Sequence, residues 1–238
     1  MKIALDADGV LFDFQTSWRL CAEGVLGRAL PLCGQHYDLG QRYGLKNTEV
    51  HKVWAIWNTT SGWLRAQPIE SGMRAAQMAL DLGHEVYVVT CLPNIRAAEE
   101  RRRALDRWGL DKAALIPVYG GSKLKALKTL RPHFYADDRA IHCREARDAL
   151  VPEIVRIHAW GPEQLPDGVC EYPDVGTALG DFLKRHAPLH FGLCNGNPNP
   201  GRASASGWPK LQTTRETEGD IYCPCSLNPM PESLRFSK

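Results

Sequence analysis

Two carboxylates, Asp6 and Asp8, interrupt the first apolar run of this chain, directly after Ile3-Ala4-Leu5 and directly before Gly9. Farther along, Thr90 and Cys91 close a second apolar run, Lys123 follows Gly120-Gly121-Ser122, and Asp137-Asp138 follow Phe134-Tyr135-Ala136. These residue types suit chemistry on a phosphoryl group. Carboxylates held close together repel unless a cation or a phosphoryl group shares their site. Adjacent acids at a buried strand end point to a bound cation. Mg²⁺ takes hard oxygen ligands, so one or two carboxylates plus a substrate phosphate suffice. Thr90 offers a hydroxyl to a phosphate oxygen. Lys123, in the first turn of a helix, opposes the helix dipole, which makes sense if a bound anion sits before that terminus. Each residue also has an ordinary reading. Asp8-Gly9 suits a turn, Thr90 suits a helix N-cap, and Lys123, Lys125 and Lys128 suit a solvated face. None of these explains Asp6, placed where the strand should still be buried.

The elements that must position these residues follow from periodicity. Residues 3–5, 85–89, 114–119, 133–136 and 154–158 read as buried strands. Helical spacing covers about 15–28, 47–57, 71–82, 95–108, a stretch from 123, 139–150 and 174–186. Strands alternating with helices imply crossovers and a parallel sheet covered on both faces. In such a sheet ligands bind at the strand ends, so four polar ends on one edge converge on a single crevice. The stretch 15–67 lacks strand alternation, with 31–44 and 58–62 reading as loops, and forms a small helical insertion. The core is then 1–14 with 68–187. From 188 to 238 the chain is rich in Gly, Pro and Asn and reads as an irregular, flexible tail. The charged run Glu99-Glu100-Arg101-Arg102-Arg103 reads as a solvated helix face, because Arg96–Glu100, Glu99–Arg103 and Arg102–Asp106 are i,i+4 pairs.

Asp6-Ala7-Asp8-Gly9-Val10-Leu11 resembles the first motif of the haloacid dehalogenase-like (HAD) superfamily, Asp-x-Asp-Gly-x-x. The continuation Phe12-Asp13-Phe14 is similar to its 5′(3′)-deoxyribonucleotidase branch. The resemblance implies a Rossmannoid α/β core, with a mobile helical cap inserted after the first strand. It makes Asp6 the nucleophile and Asp8 the general acid/base, and it matches Thr90, Ser122-Lys123 and Asp137-Asp138 to the second, third and fourth motifs. It further implies Mg²⁺ held by Asp6, the backbone carbonyl of Asp8 and Asp137, with Asp138 on a metal-bound water. Cys91 departs from the Ser often found there in the nucleotidase branch, which leaves its backbone N–H as a donor to phosphate. The match spans about residues 1–150.

Composition narrows the partners. A net charge of +2 over 238 residues is too small to imply nucleic acid or a membrane surface. No apolar run reaches membrane-spanning length, and no signal peptide precedes the first strand, so the expectation is a soluble cytoplasmic protein. An oligomer is compatible with these features. The eight cysteines are scattered and read as free thiols. Cys194, Cys223 and Cys225 lack the fourth ligand of a zinc site. The inserted segment carries Trp18, Tyr37, Tyr43, Trp54, Trp57 and Trp63. Trp54 and Trp57, at i and i+3, read as its own core, whereas Phe14, Tyr43 and Trp63 are placed to face the crevice and stack on a base. The expected function is a Mg²⁺-dependent phosphomonoesterase acting through an aspartyl-phosphate on a small substrate, a nucleoside monophosphate. The alternatives are a phosphatase of another small monoester or of a polynucleotide 3′ end, and a catalytically idle HAD-like binding protein.

Overall fold

The computed structural model describes residues 1–157 and 163–186, so the segment 188–238 lies outside the described residues. In chain order the first half runs β1 (Lys2–Leu5), β2 (Phe12–Asp13), α1 (Phe14–Leu26), α2 (Leu39–Tyr43), α3 (Asn47–Thr59), α4 (Gly62–Arg65), β3 (Gln67–Pro68) and α5 (Glu70–Asp81). The second half runs β4 (Glu85–Cys91), α6 (Ile95–Arg107), β5 (Ala114–Val118), α7 (Leu124–Leu130), β6 (Phe134–Asp137), α8 (Ala140–Asp148), β7 (Glu153–Ile157), β8 (Cys170–Tyr172) and α9 (Val175–His186).

β1 lies inside a six-stranded sheet of order β5-β4-β1-β6-β7-β8, in which every pairing is parallel. Leu5 pairs with Val88 on one side and Ala136 on the other. This central place explains an apolar run with no polar alternation, since both faces of the strand are covered. Successive side chains point to opposite faces. Ile3 and Leu5 belong to a core with Met73 and Ala76 of α5 and Leu179 and Phe182 of α9. Ala4 packs with Leu127 of α7 and Cys143 and Ala146 of α8. Helices thus cover both faces, as the alternation predicts.

Several details differ from the sequence reading. A sixth strand, β8, joins the edge beside β7. It has three residues and no apolar run, so no local signal marked it. Residues 31–44 contain α2, whose start Asp38 caps by accepting from the Gln41 N–H at 2.8 Å, and which ends at Gly44 with φ 59°. α3 runs on to Thr59 and α4 starts at Gly62, so the break read at 58–62 narrows to Thr60 and Ser61. The stretch from α1 to α4 is bracketed by the antiparallel pair β2–β3, where Phe12 faces Pro68 and Asp13 faces Gln67. Asp13 also caps α1, accepting from the Thr16 N–H at 3.0 Å. Residues 1–187 form one compact unit. All five cysteines among the described residues are free, and no helix among them is long and apolar enough to cross a membrane.

Candidate active site

β1 ends where its pairing with β6 ends. The Asp6 N–H still donates to the Ala136 carbonyl at 2.9 Å, and the chain then turns through Gly9 at φ 80°. A Cβ at Gly9 would lie 2.6 Å from Asp138 Oδ2, so glycine here serves both the left-handed backbone and the approach of the last acid. Asp6 Oδ1 accepts from the Ala7 N–H at 2.7 Å and lies 2.7 Å from Lys123 Nζ. The same ammonium is 2.8 Å from Asp137 Oδ2, which also accepts from the Tyr135 hydroxyl. Asp137 Oδ1 accepts from the Arg139 N–H at 2.9 Å. Lys123 sits just before α7, its own N–H held by Glu145 Oε2 at 2.8 Å. Two carboxylates therefore account for burying this lysine, where the sequence alone suggested an external anion.

The electrostatics are those of crowded acids. Burial pushes Asp6 up to about 6; Lys123 opposes the shift, and Asp137 and Asp8 add to it. Burial also raises Asp137, but Lys123 and His142 outweigh it and hold this acid below the usual carboxylate range. Burial raises Asp8 beyond what Arg101 and Lys123 recover. Burial alone would discharge Lys123, yet Asp137 and Asp6 hold its ammonium firmly charged. Cys91 is pushed up to about 11 by burial, so its thiol stays protonated at neutral pH.

The donor set suits a hard divalent cation. Ligand oxygens of the buried residues Asp6, Asp137 and Asp138 all lie within 4.8 Å of one another, and carboxylate oxygens are what Mg²⁺ or Ca²⁺ take. The Asp8 side chain is directed elsewhere. Its Oδ1 is 2.5 Å from Nη2 of Arg101, a fully buried residue of α6. This corrects the reading of 99–103 as a solvated face. Arg96–Glu100 and Arg102–Asp106 do pair on the helix, at 3.2 and 2.8 Å, but Arg101 points inward. A signal existed, because Arg101 falls on the stripe of Ala97, Ala98, Ala104 and Leu105.

These groups open into a cavity of about 430 Å³, whose floor includes Asp6, Asp8, Thr90, Cys91, Lys123 and Asp138. One wall is aromatic, with Phe14, Trp54 and Trp63; another is polar, with Gln15, Tyr37, Asp38, Arg42 and Arg139. Phe14 stacks on Trp63 at 5.7 Å and on Trp54 at 6.0 Å. Arg139 lies 3.7 Å from the Tyr37 ring centroid. Two expectations about aromatic residues are corrected. Tyr43 is not among the cavity-lining residues; it ends α2, is 4 % exposed and stacks on Trp18 at 6.2 Å. Trp54, read as internal core, lines the cavity, whereas Trp57 is buried. The unforeseen helix α2 turned Tyr43 from a loop residue into a packed one.

Fold and site together define a class: an α/β protein with an acidic, cation-compatible pocket at the carboxyl edge of a parallel sheet. No family model matches the sequence, and no curated protein matches it. Solved structures share the fold. One, described as a predicted phosphatase from Clostridium acetobutylicum, aligns with a TM-score of 0.54 over 77% of this chain and 98% of its own, at 12% identity. Another, a predicted phosphoglycolate phosphatase from Haemophilus somnus, aligns with a TM-score of 0.52 over 77% of this chain and 96% of its own, at 16% identity. At such identities the likeness is one of fold.

Proposed function

We propose that the protein is a Mg²⁺-dependent phosphomonoester hydrolase, working through an aspartyl-phosphate on Asp6 and preferring nucleoside monophosphates in the manner of a 5′-nucleotidase. The observation that carries this reading is Asp6 itself. It is buried at the carboxyl edge of the sheet, within 3 Å of a lysine shared with Asp137, and lines the cavity beside Asp8. Its Oδ1 is occupied by Ala7 and Lys123, which leaves Oδ2 to attack phosphorus. As that bond forms, the bond to the leaving oxygen breaks and Asp8 gives that oxygen a proton. Asp8 then takes a proton from the water that attacks the phosphoryl group, releasing phosphate and restoring the Asp6 carboxylate. Lys123, the Thr90 hydroxyl and the Cys91 N–H orient the phosphoryl oxygens, the positioning and electrostatic work that dominates phosphoryl transfer. Asp6, Asp137, the Asp8 carbonyl and Asp138 would hold the metal. When bound, it supplies positive charge against the phosphoryl oxygens.

Residues 15–67 act as the cap in this scheme, hinged on the β2–β3 pair, over a core of 1–14 and 68–187. Phe14, Trp54 and Trp63 give the base an aromatic wall, and stacking on such a surface contributes ~1–3 kcal/mol per base. The polar wall of Gln15, Asp38 and Arg42 favours a second reading, in which the leaving group is a sugar or another polyhydroxy alcohol. One panel separates the two: phosphate release from nucleoside 5′- and 3′-monophosphates and from sugar phosphates, with Mg²⁺ and with EDTA. Nucleotides should show the higher kcat/KM, and Asp6→Asn should abolish release while leaving the fold intact. Absence of metal-dependent release across the panel would favour an idle binding protein.

A further inference from the structure

Arg101 is a polar side chain beside the site to which the phosphatase scheme gives no task. It is fully buried, and among the described residues its Nε and Nη1 have no hydrogen-bond partner while Nη2 meets Asp8 Oδ1 at 2.5 Å. Burying a guanidinium with two unpaired nitrogens is costly. α6 already carries the ion pairs Arg96–Glu100 and Arg102–Asp106 between its own turns, so helix stability does not account for it. What surrounds the guanidinium is informative. It lies 4.3 Å from the Phe12 ring centroid and 5.6 Å from that of Trp63, both within cation–π range. Phe12 sits on β2 in the core, whereas Trp63 belongs to α4 of the insertion and also stacks on Phe14 at the cavity wall. A continuous line of contacts therefore runs from the wall that would meet the leaving group, through Trp63 and Arg101, to Asp8.

We propose that Arg101 is a positioning residue for Asp8. It grips Oδ1, so that Oδ2 is the oxygen presented to the leaving group, and its seat between Phe12 and Trp63 ties that aim to the placement of the insertion. The inference rests on the reading of Asp8 as proton donor to the leaving oxygen. In that step the Asp6–phosphorus bond forms, the phosphorus–leaving-oxygen bond breaks, and the proton passes from Asp8 to the departing oxygen. A leaving group stable as an oxyanion, such as p-nitrophenolate, departs without this proton. A nucleoside hydroxyl does not.

The test compares Arg101→Gln and Arg101→Lys in the full chain with Mg²⁺, in wild-type and Asp8→Asn backgrounds. A nucleoside 5′-monophosphate is followed by kcat and KM, and p-nitrophenyl phosphate by the pre-steady-state burst of p-nitrophenolate. Arg101→Gln should lower kcat on the nucleotide by about 10²-fold, the scale of a misdirected general acid, with KM changed less than about threefold. The p-nitrophenolate burst should slow by less than about fivefold, since that step does not use the proton. Arg101→Lys should recover part of the nucleotide loss, and in the Asp8→Asn background Arg101→Gln should add almost nothing, because the two residues act as a unit. Equal losses for the two leaving groups, or losses that add to those of Asp8→Asn, overturn the assignment. If Arg101→Gln does not fold, Arg101→Lys supplies the same leaving-group comparison, and equal losses there overturn the assignment in the same way. A wild-type protein that cleaves neither substrate overturns the phosphatase reading and this one together, whereas an active enzyme without the leaving-group contrast overturns only the role of Arg101.

Discussion

Lys123 Nζ lies 2.7 Å from Asp6 Oδ1, and the lysine is 1 % exposed. Its second carboxylate, Asp137, is 2.8 Å away. One ammonium therefore keeps two buried acids side by side. Lys123→Met should destabilise the metal-free protein by ~3–5 kcal/mol, the cost of stranding buried charge, as read from urea unfolding in EDTA. Mg²⁺ should raise the Tm of the variant more than that of the wild type, because the cation replaces the missing charge. Its kcat should fall ~10²–10³-fold. A variant as stable as wild type in EDTA would show that Asp6 and Asp137 do not need the lysine.

Metal removal should act on activity first. EDTA should abolish phosphate release and added Mg²⁺ should restore it. Asp137→Asn should raise the Mg²⁺ concentration giving half-maximal rate by at least ~10-fold, since even a residue that only supports a ligand is worth ~10–100-fold in metal affinity. Isothermal titration with Mg²⁺ alone checks the same point without turnover. Unchanged Mg²⁺ affinity in Asp137→Asn would remove this residue from the metal site.

The aromatic residues should separate by location. Phe14→Ala and Trp63→Ala should each lower the nucleotide-to-sugar-phosphate ratio of kcat/KM by about tenfold, the equivalent of one weakened stacking contact. Tyr43→Ala should leave that ratio alone and lower stability by ~3 kcal/mol, as a truncated core aromatic does. If the ratio stays put in both cavity variants, the aromatic wall is structural and the nucleotide preference fails.

Asp174 gives the pH dependence. It precedes α9 and accepts from the Thr177 N–H at 3.0 Å and the Thr177 hydroxyl at 2.8 Å. Burial pushes its carboxyl up, but the bonds from Thr177, Ser71 and Gly176 outweigh that and hold it below the ordinary value of 3.8. A depressed native pKa means the unfolded state takes up the proton first on acidification. The stabilisation is thus complete above the unfolded pKa and drains away as pH falls through the native one. Asp174→Ala should cost ~1 kcal/mol at neutral pH, the usual worth of a helix cap. The gap to wild type should shrink steadily below about pH 4, where the carboxyl of the unfolded chain begins to protonate, and close once pH is below the depressed native value. A gap that does not change between neutral and strongly acid pH would assign the loss to packing.

What could be read from the sequence was local. Ile3, Ala4 and Leu5 form an apolar run without alternation, which belongs to a strand covered on both faces. The helical spacings between such runs imply parallel crossovers, and parallel crossovers bring the strand ends carrying Asp6, Thr90 and Asp137 to one edge. Chain order alone led to that result, because successive strands in a parallel sheet all present the same end.

What the tertiary structure decided was which neighbour each side chain meets. Arg101 stands in a run of charges whose i,i+4 pairing looks like solvent chemistry; its place on the apolar stripe of α6 marked it as inward, but only the seating of that helix gave it Trp63 and Asp8 as neighbours. Lys123 presents its cation to Asp137, which comes from another strand, so its pairing depended on sheet order. Tyr43 and Trp54 exchanged their expected places because α2 formed where a loop was read, stacking Tyr43 on Trp18. Periodicity along one element tells which residues share a face. It carries no information on what that face is pressed against, since that depends on contacts between residues far apart in the chain.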